Sequence, residues 1–406
     1  MQAKKILSIA ALSALGMGSL SAAARDGSCP PAQPAPCYSE DCGCTYCYGP
    51  ENTAGNPAVR PRTCNGDFVI EVAGFYWNAH QDGMEYAIEN QVAISDDPQA
   101  VSAIQQLNNL INAEYQTPDF EWDFGFKAGI GYHSACDGWD FGILWTWYQG
   151  KANDQVEAES DDNRSLITLW SAFAPPQGNT TYATDIETHW KLKLNMIDLE
   201  LGREFWNSRV MTLRPFVGLR VAYVDQNWKL EHKGGSWANN SINPGANCNN
   251  EVVIENDFKG VGIRAGLDST WNFGCGWGFY GNFAASILYG RFSVDHDETN
   301  RNAASPHEKV KILDTTESFR ASRAILDLGL GVQWSTLFCA CSYGLTVQLG
   351  WEQHLFFDQN QMWRVVRIGD EAQGGAGVNN TGENVFHQRR GNLDTQGWTL
   401  RFMFEF

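Results

Sequence analysis

The chain has 406 residues, of which 43% are hydrophobic and 13% aromatic, yet its mean hydropathy is −0.35. Its 47 acidic residues outnumber 29 basic ones, so the net charge is −18 and nucleic acid is excluded as a natural partner. This composition favours a transmembrane β-barrel, in which only every second strand residue faces lipid, and leaves a large secreted β-sandwich as the alternative.

The first 24 residues have the features of a cleaved signal peptide. Lys4 and Lys5 precede an apolar stretch too short for a comfortable transmembrane helix, and small residues stand before Arg25. Residues 25–65 form a Cys- and Pro-rich segment, expected in the periplasm, and residues 66–406 form the predicted barrel. We therefore expect an exported protein that is integral to the bacterial outer membrane.

Ten segments alternate apolar with polar or small side chains, as strands between lipid and a polar lumen must. They cover residues 68–76, 120–133, 139–147, 186–204, 213–223, 261–268, 281–289, 323–334, 343–352 and 398–406. The fourth changes phase near Asn195 and Met196, which predicts a β-bulge. The tenth ends on Phe406, which fits the C-terminal signal recognised by the barrel assembly machinery.

The connections between these strands alternate strictly between short and long. Residues 134–138, 205–210, 273–276 and 335–342 are short, whereas 78–119, 152–185, 232–256, 294–318 and 355–392 are long. This alternation predicts an all-β, antiparallel, up-and-down barrel with short periplasmic turns and long extracellular loops. The first long loop also predicts an amphipathic helix over 98–113, and an extra hairpin there would raise the strand count to twelve.

The mature chain has 11 cysteines, and all but Cys248 fall on the predicted periplasmic side. An exported chain favours disulfides over zinc, so we expect disulfides and no metal site. The candidates are Cys29, Cys37, Cys42, Cys44, Cys47, Cys64, Cys136, Cys275, Cys339 and Cys341. The odd total leaves at least one thiol unpaired or linked to another protein.

A family resemblance rests on three sequence runs and on Leu288-Tyr289-Gly290 of the following strand. The runs are 197–203 (IDLELGR), 213–220 (LRPFVGLR) and 264–268 (RAGLD). They resemble the pore-forming major outer membrane protein family of Legionella and the environmental chlamydiae, over roughly residues 66–406. The resemblance implies a porin-like channel and a dominant envelope protein. The cysteine-rich start resembles the chlamydial side of that family, where disulfide cross-linked outer membranes are the rule.

The inward positions of the predicted strands carry charges of both signs. They are Glu71, Glu121, Asp123, Lys127, Asp140, Lys191, Lys193, Asp198, Glu200, Arg214, Arg220, Arg264, Asp268, Arg323, Asp327, Glu352 and Arg401. Such a lining orders polar solutes in a narrow pore, whereas ten strands lie near the size at which side chains fill the interior.

The sequence therefore leaves two candidate functions. The first is passive diffusion of small hydrophilic solutes and ions by an abundant envelope protein. The alternative is a non-conducting barrel that acts as a disulfide-linked structural or adhesive surface protein. No catalytic motif is present, so we expect neither an enzyme nor a cofactor. The expected partners are outer-membrane lipid, the assembly machinery and disulfide-linked envelope proteins or further copies of the chain.

Overall fold

The computed structural model describes residues 49–60, 67–90, 110, 112–134, 138–158, 165–173, 181–237, 248–302, 304–338, 343–368 and 383–406. Its strands are β1 (Asp67–Gln81), β2 (Ala87–Asn90), β3 (Glu114–Gln116), β4 (Asp119–Phe120), β5 (Trp122–His133), β6 (Trp139–Glu157), β7 (Ser165–Thr168), β8 (Tyr182–Ala183), β9 (Asp185–Arg203), β10 (Phe205–Ser208), β11 (Met211–Lys233), β12 (Cys248–Gly274), β13 (Trp277–Asn302), β14 (Lys309–Phe338), β15 (Tyr343–Asn360), β16 (Trp363–Ile368), β17 (Glu383–Gln388) and β18 (Gly391–Glu405). Within these ranges, no helix is long and apolar enough to cross a membrane.

Ten strands close into an antiparallel barrel, which confirms the predicted fold class. The order around the barrel is β1, β5, β6, β9, β11, β12, β13, β14, β15 and β18, and β1 closes it by pairing with both β18 and β5. The short strands β4 and β10 extend the same sheet along β6 and β11. At the closure, Phe406 exchanges backbone hydrogen bonds of 2.8 and 3.0 Å with Phe68.

A band of large apolar side chains covers the outside of the barrel. Phe124 is 76% exposed, Leu330 67% and Ile263 66%. Such side chains belong in an apolar environment rather than in water, and period-two alternation places them all on one face. The band therefore marks where the barrel contacts lipid.

The predicted bulge in the fourth barrel strand is wrong. β9 pairs in continuous register with β6 and with β11 through Asn195 and Met196. Even-numbered β9 side chains point inward throughout, from Trp190 to Asp198. The apparent phase change has another cause: beyond the lipid band the interior becomes apolar and the exterior polar, so the hydrophobic pattern changes faces while the backbone does not.

The barrel extends well beyond the lipid band on the extracellular side. Residues 232–256 and 294–318 were predicted as loops, but β11 runs to Lys233, β12 begins at Cys248, β13 ends at Asn302 and β14 begins at Lys309. These polar segments form strands because they continue ladders that are already paired. We call this extension, from residue 225 of β11 and the facing parts of the other strands outward, the extracellular half.

The extra hairpin of the first loop exists but does not enter the barrel. β2 and β3 pair with each other, and β2 also pairs with β7 of the next long loop, so that β3, β2, β7 and β8 form a separate sheet. The barrel count therefore stays at ten. Of the predicted helix over 98–113, residues 110, 112 and 113 are described and are not helical; the others lie outside the described residues.

Two cysteines fall within the described residues. Cys275 occupies the short β12–β13 turn with a positive φ of 51° and is disulfide-bonded. Cys248 begins β12 and is buried in the extracellular half. The other nine candidate or unpaired positions, and the predicted signal peptide, lie outside the described residues.

Candidate functional site

The inner surface of the barrel at the level of the lipid band carries a network of ion pairs. Its most buried member is Arg220 on β11, which is 1% exposed. Its Nε and Nη2 donate to the two carboxylate oxygens of Asp198 on β9 at 2.6 and 2.7 Å. Its Nη1 lies 2.8 Å from Asp327 on β14, so this guanidinium connects strands that are not neighbours in the sheet.

Asp327 also connects the network to the opposite wall. His354 on β15 has its Nδ1 2.8 Å from Asp327, and its ring lies 4.7 Å from that of Trp77. Two positions before His354, Glu352 accepts a 2.6 Å bond from Lys127 Nζ on β5. The network therefore spans the barrel from β9 to β5.

A second group of ion pairs lies nearer the periplasmic end. Arg214 donates to Asp140 at 2.5 to 3.1 Å and to Asp268 at 2.7 Å, and its Nη1 lies 3.2 Å from Glu200. Arg264 also binds Glu200. Arginine suits these positions because its planar fork can satisfy several carboxylates at once.

These charged side chains surround a cavity of about 270 Å³. Arg60, from the segment that precedes the barrel, lies at its periplasmic end and forms ion pairs with Glu204 and Glu405. The same segment is held against the barrel by Val59 N to Glu204 O at 3.1 Å and Trp206 N to Pro57 O at 2.9 Å. Arg60, held in place by its segment, thus contributes to the floor of the cavity.

Apolar side chains close the barrel above the cavity. Trp77, Trp190 and Trp228 point inward from the strands and are fully buried. Trp170, in the loop segment after β7, stacks edge-on against Trp228 with ring centroids 4.8 Å apart and donates its indole N–H to Glu85 O at 2.7 Å. Met362, also from a loop, belongs to the same buried cluster. Loop residues therefore occupy the extracellular half of the lumen.

Twelve of the seventeen predicted lining residues surround the cavity: Glu71, Lys127, Asp140, Asp198, Glu200, Arg214, Arg220, Arg264, Asp268, Asp327, Glu352 and Arg401. Arg323 points inward above it, with its guanidinium 4.9 Å from the Phe292 ring.

The remaining four are placed elsewhere. Lys191 and Lys193 are corrections, since without the bulge their side chains lie on the exposed outer face. Glu121 is exposed and bonds Asn153 at 2.6 Å. Asp123 is the register partner of the inward Trp77, so it lies above the cavity and not beside it, 3.8 Å from the exposed Lys151.

Sequence reasoning missed two members of the site. The ninth predicted strand ended at residue 352 and so left out His354, although its even position matches that of the inward Glu352 and could have placed it. The alternation of apolar and polar residues could not have revealed Arg60, because Arg60 lies outside any strand. Within the described residues, no group of three or more His, Cys, Asp or Glu side chains is arranged to hold a metal ion.

Comparison with known proteins identifies one family model, described as the Legionella pneumophila major outer membrane protein precursor, which matches residues 61–405. No curated protein matches the chain. Among solved structures, the outer membrane protease OmpT of Escherichia coli is 11% identical, with 85% of this chain and 97% of that chain covered and a TM-score of 0.35. A Pseudomonas aeruginosa FadL homologue is 8% identical, with 88% and 94% covered and a TM-score of 0.22. The Pseudomonas putida toluene transporter TodX is 8% identical, with 89% and 95% covered and a TM-score of 0.19. These weak similarities carry no argument about function.

Proposed function

Because the chain belongs to the Legionella major outer membrane protein family, we propose that it is a narrow outer-membrane channel for ions and small hydrophilic solutes. The observation that supports this function best is the charged cavity at the level of the lipid band. Burying charges in a barrel is costly unless they are paired and hydrogen-bonded. A barrel that served only as an anchor could fill this level with apolar side chains at no such cost.

We also propose that the channel is closed at rest, because loop residues fill the extracellular half of the lumen. Trp170 and Met362 stand in the lumen on loop segments rather than on barrel strands. Loops can move without breaking the ladders that hold a barrel together. Conduction therefore requires displacement of these loop residues, and we expect brief openings of small conductance.

Single-channel recording in planar bilayers tests this function. We expect discrete steps from the wild-type protein and a higher open probability in Trp170→Ala, because that substitution removes the fully buried ring that packs on Trp228. Trp398→Ala is the matched control, since Trp398 is 55% exposed on the lipid-facing surface, and it should gate like wild type. Silent bilayers at high load of both wild type and Trp170→Ala would reject the channel.

The same recordings test ion selectivity. The first loop region carries Asp82, Glu85, Glu89, Asp96, Asp97 and Glu114 without a Lys or Arg between residues 82 and 114. Charges of both signs line the cavity, so we expect weak selectivity with a bias toward cations. A reversal potential typical of strong anion selectivity would contradict this expectation.

A structural role in the envelope is the second candidate. Cys275, in the short β12–β13 turn, is disulfide-bonded within the chain, but the odd total of 11 cysteines favours this role because it leaves at least one thiol for another protein. That turn lies at the periplasmic end, where oxidation is maintained. If disulfides join neighbouring proteins, mild detergent should release little protein until a reductant is added, and non-reducing gels should show a ladder. A single monomer band at full yield without reductant would remove the cross-linking role.

A further inference from the structure

Three basic side chains lie side by side on the outer surface at the extracellular edge of the lipid band. Lys259 on β12 is the register partner of Arg291 on β13, which is the partner of Arg320 on β14. All three are exposed. We propose that they bind the phosphate groups of a bis-phosphorylated glycolipid of the outer leaflet, of the lipid A type.

The position of this basic row matches the depth of a lipid headgroup. On the same face and two residues toward the membrane, Lys259 is followed by Val261, which is 54% exposed, and Arg291 by Tyr289, which is 56% exposed. Tyr289 has the amphipathic side chain that is enriched at membrane interfaces. The three cations are therefore the first outward charges met beyond the lipid-facing side chains of these strands.

The row is unfavourable for the barrel by itself. Like charges directly opposite each other on neighbouring strands destabilise a sheet, and here three stand in sequence across two ladders. Among the described residues, no carboxylate forms an ion pair with any of the three, and Arg291 Nε bonds the hydroxyl of Ser318 at 2.5 Å. A bound dianion would remove this repulsion, because arginine pairs with phosphate through two parallel hydrogen bonds.

The charges farther from the membrane determine from which side an anionic ligand can reach the three cations. The next outward positions carry Asp225 and Asp257, which are register partners, and the positions beyond them carry Glu255 and Asp295, also partners. A polyanion that came from the extracellular side would meet these acidic rows first and be repelled. An anion anchored in the lipid approaches along the apolar band and meets only the basic row, so the ligand is a lipid rather than a soluble polyanion.

Binding of purified lipid A to the folded, purified protein in a neutral detergent tests the site, with native mass spectrometry as the measurement. Each basic residue at an anionic lipid surface contributes roughly fivefold to binding, so Lys259→Gln/Arg291→Gln/Arg320→Gln should bind about 100-fold more weakly. Wild type should bind lipid A without phosphates no better than this variant binds the bis-phosphorylated form.

A matched control removes three other lysines from the same outer surface. Lys229, Lys309 and Lys311 already form ion pairs, with Glu251, Glu251 and Asp297 respectively. Their triple Gln variant has the same net charge as the test variant and should bind lipid A within about twofold of wild type. Equal weakening in both variants would show that only overall charge matters and would overturn the site.

Two further measurements separate a lipid site from a free-phosphate site, and lost binding from lost folding. Displacement of bound lipid A by inorganic phosphate alone would indicate a free-phosphate site and overturn the lipid assignment. If the triple variant does not fold, Arg320→Gln alone should weaken binding roughly fivefold, while Arg320→Lys should stay near wild type; no change in Arg320→Gln would overturn the proposal. The site requires only the outer-membrane location, so its failure would leave the channel proposal intact.

Discussion

Arg220 is expected to be the most important single charge for the stability of the barrel. Arg220→Met keeps much of the side-chain volume but leaves Asp198 and Asp327 buried with fewer cations. Removing one member of a buried ion pair costs about 3–5 kcal/mol. Asp327 retains Arg264 Nη2 at 3.2 Å and His354 at 2.8 Å, whereas the one ion-pair partner that Asp198 retains among the described residues is Arg264 at 3.8 Å. We therefore expect the lower end of that range, about 3 kcal/mol.

Urea unfolding of the purified protein in detergent, with the folded fraction scored by its faster migration on unheated gels, measures this loss. A change of about 3 kcal/mol shifts the folding equilibrium roughly 100-fold. Arg320→Met is the control, because the exposed Arg320 should change stability by less than about 0.5 kcal/mol. Adding Asp198→Asn and Asp327→Asn to Arg220→Met should recover most of the loss. A loss below about 1 kcal/mol, or a triple variant no more stable than the single one, would refute the reasoning that unpaired buried charge sets the cost.

Three further predictions concern regions outside the lipid band. Burial lowers the pKa of His232 and of His296 to about 4. Because the unfolded chain takes up these protons first, near pH 6.5, the free energy of unfolding falls from pH 6.5 to 4, by about 2 kcal/mol per histidine at pH 5. In His232→Gln/His296→Gln the urea midpoints measured at pH 7 and at pH 5 should therefore differ less than in wild type. Burial, then Asp225 and Glu255, raises the pKa of Asp257 from 3.8 to about 6, so its ionisation opposes folding increasingly between these two pH values and fully above pH 6. After solvent screening of this half-exposed group, Asp257→Asn should gain about 1 kcal/mol at pH 8 and nothing at pH 3; a gain at pH 3 would contradict this cause. Arg60→Gln leaves two carboxylates at the cavity floor without their cation and should cost about 1–3 kcal/mol in the same titration; an unchanged midpoint would show that Arg60 does not hold its segment there.

Period-two alternation was sufficient to predict where the barrel strands lie and which side chains face the lumen at the level of the lipid. A strand between lipid and a polar interior has no freedom in this respect, since a slip of one residue exchanges its two faces. Val217 and Leu219 accordingly point outward and Arg214 and Arg220 inward, as their sequence predicts. The alternation of short and long connections likewise predicted the antiparallel order.

Tertiary structure alone decided which of the inward charges pair with each other and what closes the lumen. Arg220 and Asp327 are 107 positions apart in the sequence, and they meet because the stagger of the closed barrel brings β11 and β14 to the same level, a quantity that no local pattern encodes. Lys191 and Lys193 were assigned to the wrong face because the pattern inverts where the barrel leaves the lipid, and the sequence does not mark that level. Trp170 closes the lumen from a loop, where side-chain direction follows from packing and not from period. The sequence by itself therefore determined strands and faces, which depend on local alternation, whereas the ion-pair partners and the closed lumen depend on contacts between distant segments.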